Sequence, residues 1–484
     1  MASRILLSAG TRTLAGVAAL AAGGALVATG LLVPWPEHRA EPSSVVVEPA
    51  EAQEVRVCPG PVLALADDAA SATTATSFGG TTLVTQVEPA SGLVEEVPVE
   101  APENPDADAD GGPVALVAEP GAVDAGLLAG TQAQVADTET ISGLAVASCA
   151  EAVAESWLVG GSTALGRVTL VLLANPSDVA ATVDLRISGE AGPVDAPSAL
   201  GIRVPPHQQR VVSLAGLAPD LSAPVVHVVA TGGRIAASLQ QTSIDGLVPA
   251  GADLVGAAAA PARTQVIPGV LVAEAGGAAV GEDHLDGDAF PALRLFAPGE
   301  EPVEAAVEVQ GAGGGAGTTF DVRLVPGQVT EVPLGELRAG EYTVAIDADA
   351  PVVAAARTSV APVPASGDTR SVGDPGDFAW FTATSPLIGD TAIAVADAPS
   401  PTLHLVNPGD AAVAAVLVTG GSERTVEVPA GGRASIGLTA GDGVTLREAA
   451  GLHGAVAYDG GRVIASAPVE PPGPTDAPIR VFPH

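Results

Sequence analysis

From Trp157 onward the chain is written in short apolar runs of period two, broken at regular intervals by Gly, Pro, Asn and Asp. A period of two places successive side chains on opposite faces of an extended chain, so these runs predict half-buried strands joined by turns. One block recurs three times. Each copy has apolar alternation before a turn (Thr169 to Leu173, Leu293 to Phe296, Leu403 to Val406) and the turn itself at Asn175-Pro176, Ala297-Pro298 or Asn407-Pro408. A second apolar run follows, then a Val-Pro step at Val204-Pro205, Val325-Pro326 or Val428-Pro429. The copies close on Gly233-Arg234-Ile235-Ala236-Ala237, Ala350-Pro351-Val352-Val353-Ala354 and Gly461-Arg462-Val463-Ile464-Ala465. Self-similarity at this period predicts tandem copies of one unit. With about seven short strands in a copy, that unit is an antiparallel, Ig-like β-sandwich.

The predicted fold is therefore all-β: an N-terminal transmembrane helix followed by tandem antiparallel β-sandwiches. Residues 151–260, 261–360 and 361–484 are the three repeats, and residues 54–150 form a further β region ahead of them. Trp157 and Trp380, in what read as matching opening strands, are expected to be core residues, the largest apolar contacts of their copies. The second copy has no Trp in that place.

The start of the chain reads differently. Arg4 and Arg12 precede an uncharged apolar stretch from Leu14 to Val33, closed by Pro34, Trp35 and Pro36. About 20 residues at roughly 1.5 Å rise would span a bilayer core of about 30 Å. Residues 1–12 are then cytoplasmic by the positive-inside bias, 13–36 an anchor and 37–53 a spacer rich in Glu, Pro and Ala. Cleavage as a signal peptide is the alternative, although the outer end of the stretch offers no clean small-x-small site. Either way the bulk of the chain is expected outside the cell membrane. The two cysteines, Cys58 and Cys149, both fall on that side and bracket the region before the repeats, so a disulfide is expected.

Composition narrows the partners. Of the residues 47% are hydrophobic but only 2% aromatic, so Val, Ala and Leu must fill the cores. The 56 carboxylates face 20 cations, every one of them Arg, for a net charge of −36. Nucleic acid and anionic lipid surfaces would be repelled by such a chain.

Two acidic segments carry candidate metal chemistry. Asp106, Asp108 and Asp110, followed by Gly111, match the first half of a calcium loop, but position 12 is Val117 instead of a bidentate Glu. Glu282, Asp283, His284, Asp286 and Asp288 gather oxygen donors and one imidazole in seven residues. A solvated acidic loop accounts for both, so no metal and no cofactor is expected. His207, His227, His404 and His453 have no metal-type spacing, and His227 and His404 are expected on exposed strand faces. Gly160-Gly161-Ser162 lacks a nucleophile elbow, and the Gly-rich segment from Gly311 to Gly317 opens no helix. A hydrolase would instead need two acids converging in one concave pocket, about 5 to 9 Å apart for a glycan substrate.

The anchored start, Val57-Cys58-Pro59-Gly60-Pro61, Ser148-Cys149-Ala150 with Glu155-Ser156-Trp157 beyond it, and Leu173-Ala174-Asn175-Pro176 together resemble a family of exported actinobacterial proteins known as a domain of unknown function. The resemblance implies no catalytic residues. The function expected from the whole is a non-catalytic membrane-anchored protein of the cell envelope, contacting an envelope protein or polysaccharide. An accessory role in envelope polysaccharide synthesis or export, and a secreted hydrolase, are the alternatives.

Overall fold

The computed structural model describes residues 18, 20–21, 45–47, 53–65, 74–107, 111–124, 126–276, 290–311, 317–362, 375–471 and 479–481. The chain forms two compact units, one of residues 1–48 with 478–484, the other Pro49–Ala477. In the smaller, β1 (Val45–Val47) pairs antiparallel with β34 (Ile479–Val481). No helix among the described residues is long and apolar enough to cross a membrane. The expected span lies outside the described residues except for Ala18, Leu20 and Ala21, which are helical.

The larger unit contains four sandwiches. Sandwich I comprises β2 (Glu54–Cys58), a hairpin of β3 (Leu63–Leu65) and β4 (Ala75–Ser77), β5 (Thr82–Val87), β6 (Glu95–Pro98), β7 (Val114–Ala118), β8 (Leu128–Asp137) and β9 (Ser142–Ser148). Its sheets run β2-β7-β6 and β5-β8-β9. Sandwich II follows with β10 (Glu155–Val159), β11 (Arg167–Asn175), β12 (Ala181–Gly189), β13 (Gly192–Pro193), β14 (Ile202–Val204), β15 (Gln208–Ser213), β16 (Val225–Thr231), β17 (Ala236–Asp245) and β18 (Val248–Val255). Here β10-β16-β12-β13 faces β15-β11-β17-β18, and β14 also pairs with β12.

Sandwich III has β19 (Ala262–Val272), β20 (Ala292–Phe296), β21 (Val303–Gly311), β22 (Thr318–Leu324), β23 (Val329–Pro333), β24 (Gly340–Val360) and β25 (Asp377–Thr382). The long β24 serves both sheets, its first half between β19 and β21 and its second between β20 and β25. Sandwich IV has β26 (Thr391–Ala394), β27 (Thr402–Val406), β28 (Val413–Thr419), β29 (Ser422–Val428), β30 (Arg433–Gly437), β31 (Gly443–Arg447), β32 (His453–Asp459) and β33 (Ile464–Pro468). It pairs as β26-β31-β28-β29 and β30-β27-β32-β33.

One strand order runs through all four. With the two-residue β13 and the β3–β4 hairpin set aside and the two halves of β24 counted as two strands, in II to IV the first, sixth, third and fourth strands make one sheet and the fifth, second, seventh and last make the other; I keeps this order without the fourth and fifth. The repeat is thus written four times, not three. Glu88-Pro89, just after β5, stands where Asn175-Pro176 and Asn407-Pro408 stand. Those asparagines explain why the first copy escapes notice. Asn175 Nδ2 donates to the carbonyls of Val179, Val204 and Pro205 while Oδ1 accepts from the Ser177 N–H, tying the turn to the end of the fourth strand. Asn407 does the same with Ala411, Val428 and Gly409. Sandwich I has no fourth strand to tie, and the Asn and the Val-Pro step vanish together.

Two expectations are corrected by the pairing. Trp380 lies on β25, which completes sandwich III, so it does not match Trp157 on β10 and the strand Asp377–Thr382 falls outside the fourth sandwich. Gly461-Arg462 opens the last strand of IV, whereas Gly233-Arg234 opens the seventh strand of II; the counterpart in IV is β32. Both tryptophans are core residues, 7% and 3% exposed.

Burial separates the sheets. β12 and β21 alternate buried and open positions, as a strand with one solvated face must. By contrast β11, β20 and β27 are buried almost throughout. Leu170 and Leu172 pack with Val62 and Ala145 of sandwich I, whereas Val171 and Leu173 fill the core of II. Leu144 and Val146 of I join the core of IV. The second sheet of each sandwich is therefore covered on both faces along most of its central strands, while edge strands such as β5, β15 and β30 keep partly exposed positions.

The last strands close the arrangement, with β9 against β18, β18 against β25, β25 against β33 and β33 against β9. Small residues permit the approach. A Cβ on Gly251 (φ 128°) would lie 2.4 Å from Phe378 Cδ1, and one on Gly143 (φ 151°) 2.5 Å from the Ala252 nitrogen.

Candidate functional site

A ring of sheet edges exposes backbone N–H groups to one another, and buried donors must find acceptors. Two aspartates supply them. Asp377 Oδ2 accepts from the N–H of Leu144 at 3.1 Å and of Ile464 at 3.0 Å, joining sandwiches I, III and IV. Asp253 Oδ2 accepts from the Trp380 N–H at 2.7 Å. Burial pushes Asp253 up to about 7 against the pull of its backbone donors, and pushes Asp377 well above the carboxylate range. These acids hold strands together and have no access to solvent, being 1% and 0% exposed.

Arg294, on β20 and fully buried, joins II and III. Its Nε and Nη2 donate to Glu331 Oε2 at 2.9 and 2.7 Å, Nη1 donates to the carbonyls of Gly161 and Pro224, and the guanidinium lies 4.5 Å from the Trp380 ring centre. At the seam of III and IV, His404 is 5% exposed, contrary to the exposed face expected for it. Its ring lies against Gly269, Nδ1 is 3.1 Å from Ser435 Oγ, and Nε2 is 3.8 Å from Glu341 Oε1. Burial pushes this imidazole down to about 4, so it stays neutral as a packed side chain. Its gap to Glu341 exceeds a hydrogen bond.

Two concavities are open to ligands. A cleft of about 500 Å³ on sandwich II is lined by Leu185, Val194, Pro197, Leu200 and, from III, Phe296 and Pro298. Trp157 and His227 stack at its floor, ring centres 4.0 Å apart. Leu200 at the rim is 56% exposed.

The second, a cavity of about 380 Å³, forms where the chain passes from each sandwich to the next. Glu151 and Val153 line it from the I–II connection, Ala257 to Pro261 from II–III, Ala383 to Ser385 from III–IV, and Pro468 to Pro471 follow the last strand. Arg56 of β2 and Glu155 of β10 complete the wall. Arg56 Nε donates to the Leu128 carbonyl at 3.1 Å and Nη1 lies 3.4 Å from Glu151 Oε2, while Arg234 Nη1 stands 3.9 Å from Glu151 Oε1. Glu155 Oε1 is 2.7 Å from His227 Nε2. Burial pushes the Glu470 carboxyl up to about 7, with Arg56 pulling it down and Glu151 pushing it further up.

Of the residues singled out from sequence, Cys58 and Cys149 are joined by a buried disulfide. Asp106 is partly buried and its N–H donates to Asn104 Oδ1. Asp108, Asp110, Glu282, Asp283, Asp286 and Asp288 lie outside the described residues. Among the described residues no group of three or more His, Cys, Asp or Glu could hold a metal. Sequence reasoning missed Arg56, Glu151 and Glu470, which are distant in the chain and meet only through the ring. Asp253 did leave a signal, a lone charge inside the apolar run Val248–Val255.

The model of a family of unknown function, DUF5719, matches residues 104–442. No curated protein matches the chain. Among solved structures it is similar to Thermotoga maritima 1070, at 12% identity over 25% of this chain and 92% of that one, with a TM-score of 0.18. It is also similar to the BSP domain of a biofilm associated protein, at 9% identity over 91% and 99% of the two chains, TM-score 0.12. A Ca2+-stabilized adhesin of an Antarctic bacterium aligns at 14% identity over 87% and 99%, TM-score 0.10. Scores this low carry no inference.

Proposed function

The chain belongs to DUF5719, a family of unknown function, and from that premise we propose that it is a non-catalytic, membrane-anchored protein of the cell envelope presenting its sandwiches to a protein or wall-polymer partner. The carrying observation is the cleft on sandwich II, whose walls combine aliphatic side chains and prolines with Trp157 and a few polar groups, Arg186, Ser188, Asp195 and His227, a lining suited to holding a partner surface. Export is supported by the apolar N-terminal stretch and by the Cys58–Cys149 disulfide. Hydrolysis would need two uncommitted acids in one pocket. In the cavity between the connections Glu151 is engaged by Arg56 and Arg234, and Glu155 by His227.

Replacing Leu200 by a photo-crosslinking residue in living cells tests the proposal. Capture of an envelope protein or of wall polymer is the expected result, and capture of a membrane glycosyltransferase would specify an accessory role in polysaccharide synthesis. A cytoplasmic location, read by failure of an impermeant reagent or external protease to reach the sandwiches in spheroplasts, would overturn it.

A further inference from the structure

The cavity where the connections meet contains one acid that its surroundings leave unanswered. Two of its three carboxylates have partners, Glu151 in Arg56 and Arg234 and Glu155 in the His227 ring, but the half-buried Glu470 side chain makes no hydrogen bond and no close ion pair among the described residues. We propose that this cavity binds a small ligand through a primary ammonium group held by Glu470.

The geometry limits the alternatives. A volume of about 380 Å³ lies within the range of small-molecule sites. The run Ala257 to Ala260 brings no side chain larger than a methyl group to the wall, which is what leaves the space. A neutral ligand would leave the Glu470 carboxylate desolvated and unpaired, and an anion would meet three acids against one Arg already committed to Glu151 and the Leu128 carbonyl. A cation supplies the missing partner. The ammonium donates three hydrogen bonds, and besides Glu470 the lining includes Ser385 and Thr384, whose hydroxyls can accept. The chain's net charge of −36 raises the local concentration of such ligands. The inference does not depend on export or on the cleft of sandwich II. It concerns a different concavity, and its test is made on purified protein.

The groups facing Glu470 are Arg56 and Glu151, with Glu155, His227 and Arg234 around them. Because the Glu470 carboxyl is lifted to about 7, it must lose a proton to receive the ammonium, so binding strengthens as pH rises through neutrality.

The probe is the backbone amide signal of Ser385, which lines this cavity and not the cleft of sandwich II, followed by NMR in the full-length chain. Two amines are titrated, each beside a neutral counterpart: glucosamine with glucose, and Nα-acetyl-lysinamide with its Nε-acetylated form. At least one amine is expected to shift the signal while its neutral counterpart does not. Glucosamine alone points to an amino sugar, acetyl-lysinamide alone to a peptide amine. Affinity for acetyl-lysinamide, whose ammonium titrates near 10.4, should rise about tenfold from about pH 6 to about pH 8. Glu470→Gln should weaken binding about tenfold or more at the upper pH. If that variant does not fold, the wild-type pH profile decides alone. Equal shifts from amine and neutral probes, no shift from either amine at millimolar concentration, or binding independent of pH would overturn the assignment.

Discussion

A carboxyl buried among strand edges serves the fold only while its environment tolerates its charge state, and Asp253 makes this measurable. The unfolded chain loses its proton near 3.8 and the folded chain near 7. Between these values the folded state binds more protons, so this group's contribution is complete below about 4, falls as pH rises, and is gone above about 7. Asp253→Asn is expected to flatten the profile of melting temperature against pH, removing a dependence on the order of a few kcal/mol between about pH 4 and pH 7. His404, pushed down to about 4, works in the opposite sense below about 6.5 but is unchanged in the variant, so the difference between profiles reports Asp253 together with the neighbouring Asp377, whose carboxyl the Asp253 charge helps to raise. Parallel profiles would refute the assignment. Arg294 is tested by truncation, since Arg294→Met leaves Glu331 short of its closest partner and three carbonyls without this donor. A loss of roughly 3 to 5 kcal/mol in denaturant unfolding is expected, against under about 1 for an exposed pair such as Arg323 and Glu304.

At the scale of strands and sheets, sandwich I depends on a covalent link where the others depend on packing. Lacking two strands, it has a small core of its own, in which Leu116 and Leu128 surround Cys58 and Cys149. The disulfide closes a separation of 91 residues, and its loss is expected to cost about 2 to 5 kcal/mol. Replacing both cysteines by Ser should release amide protection first in β2, β7 and β8, read by hydrogen exchange; uniform loss over all four sandwiches would count against this picture. What the sequence revealed follows the same logic. In sandwiches II and IV Asn175 and Asn407 mark the turn that anchors the fourth strand, and the alternation of β12 and β21 announces a solvated face. The continuous apolar runs of β11 and β27 carried a message not taken up, that a strand without alternation has a second buried face and hence a neighbouring sandwich. The copy in sandwich I stayed hidden because the residues that sign the repeat serve strands it lacks. The cavity was illegible, because Arg56, Glu151 and Glu470 come together only when the ring closes, which no local pattern encodes.

For the larger unit, closure of the last strands decides how it unfolds. Independent tandem sandwiches would each melt by themselves, in separable steps. Here the cores cross the boundaries: Leu170 and Leu172 of II lie with residues of I, Leu144 and Val146 of I with residues of IV, and Phe378 and Trp380 of III with the core of II. Removing one sandwich would strip an apolar face from its two neighbours and leave the N–H groups that Asp377 satisfies in I and IV without their link. Such an energetic unit should unfold in one transition, with calorimetric and van't Hoff enthalpies that agree for the whole ring. A chain lacking residues 387–471 has sandwiches I to III complete in sequence, yet the exposed faces of β9 and β25 should cost it cooperative melting and drive association. If that shortened chain stays monomeric and melts at the temperature of the parent, the sandwiches are beads on a string and the ring is a packing arrangement without energetic consequence.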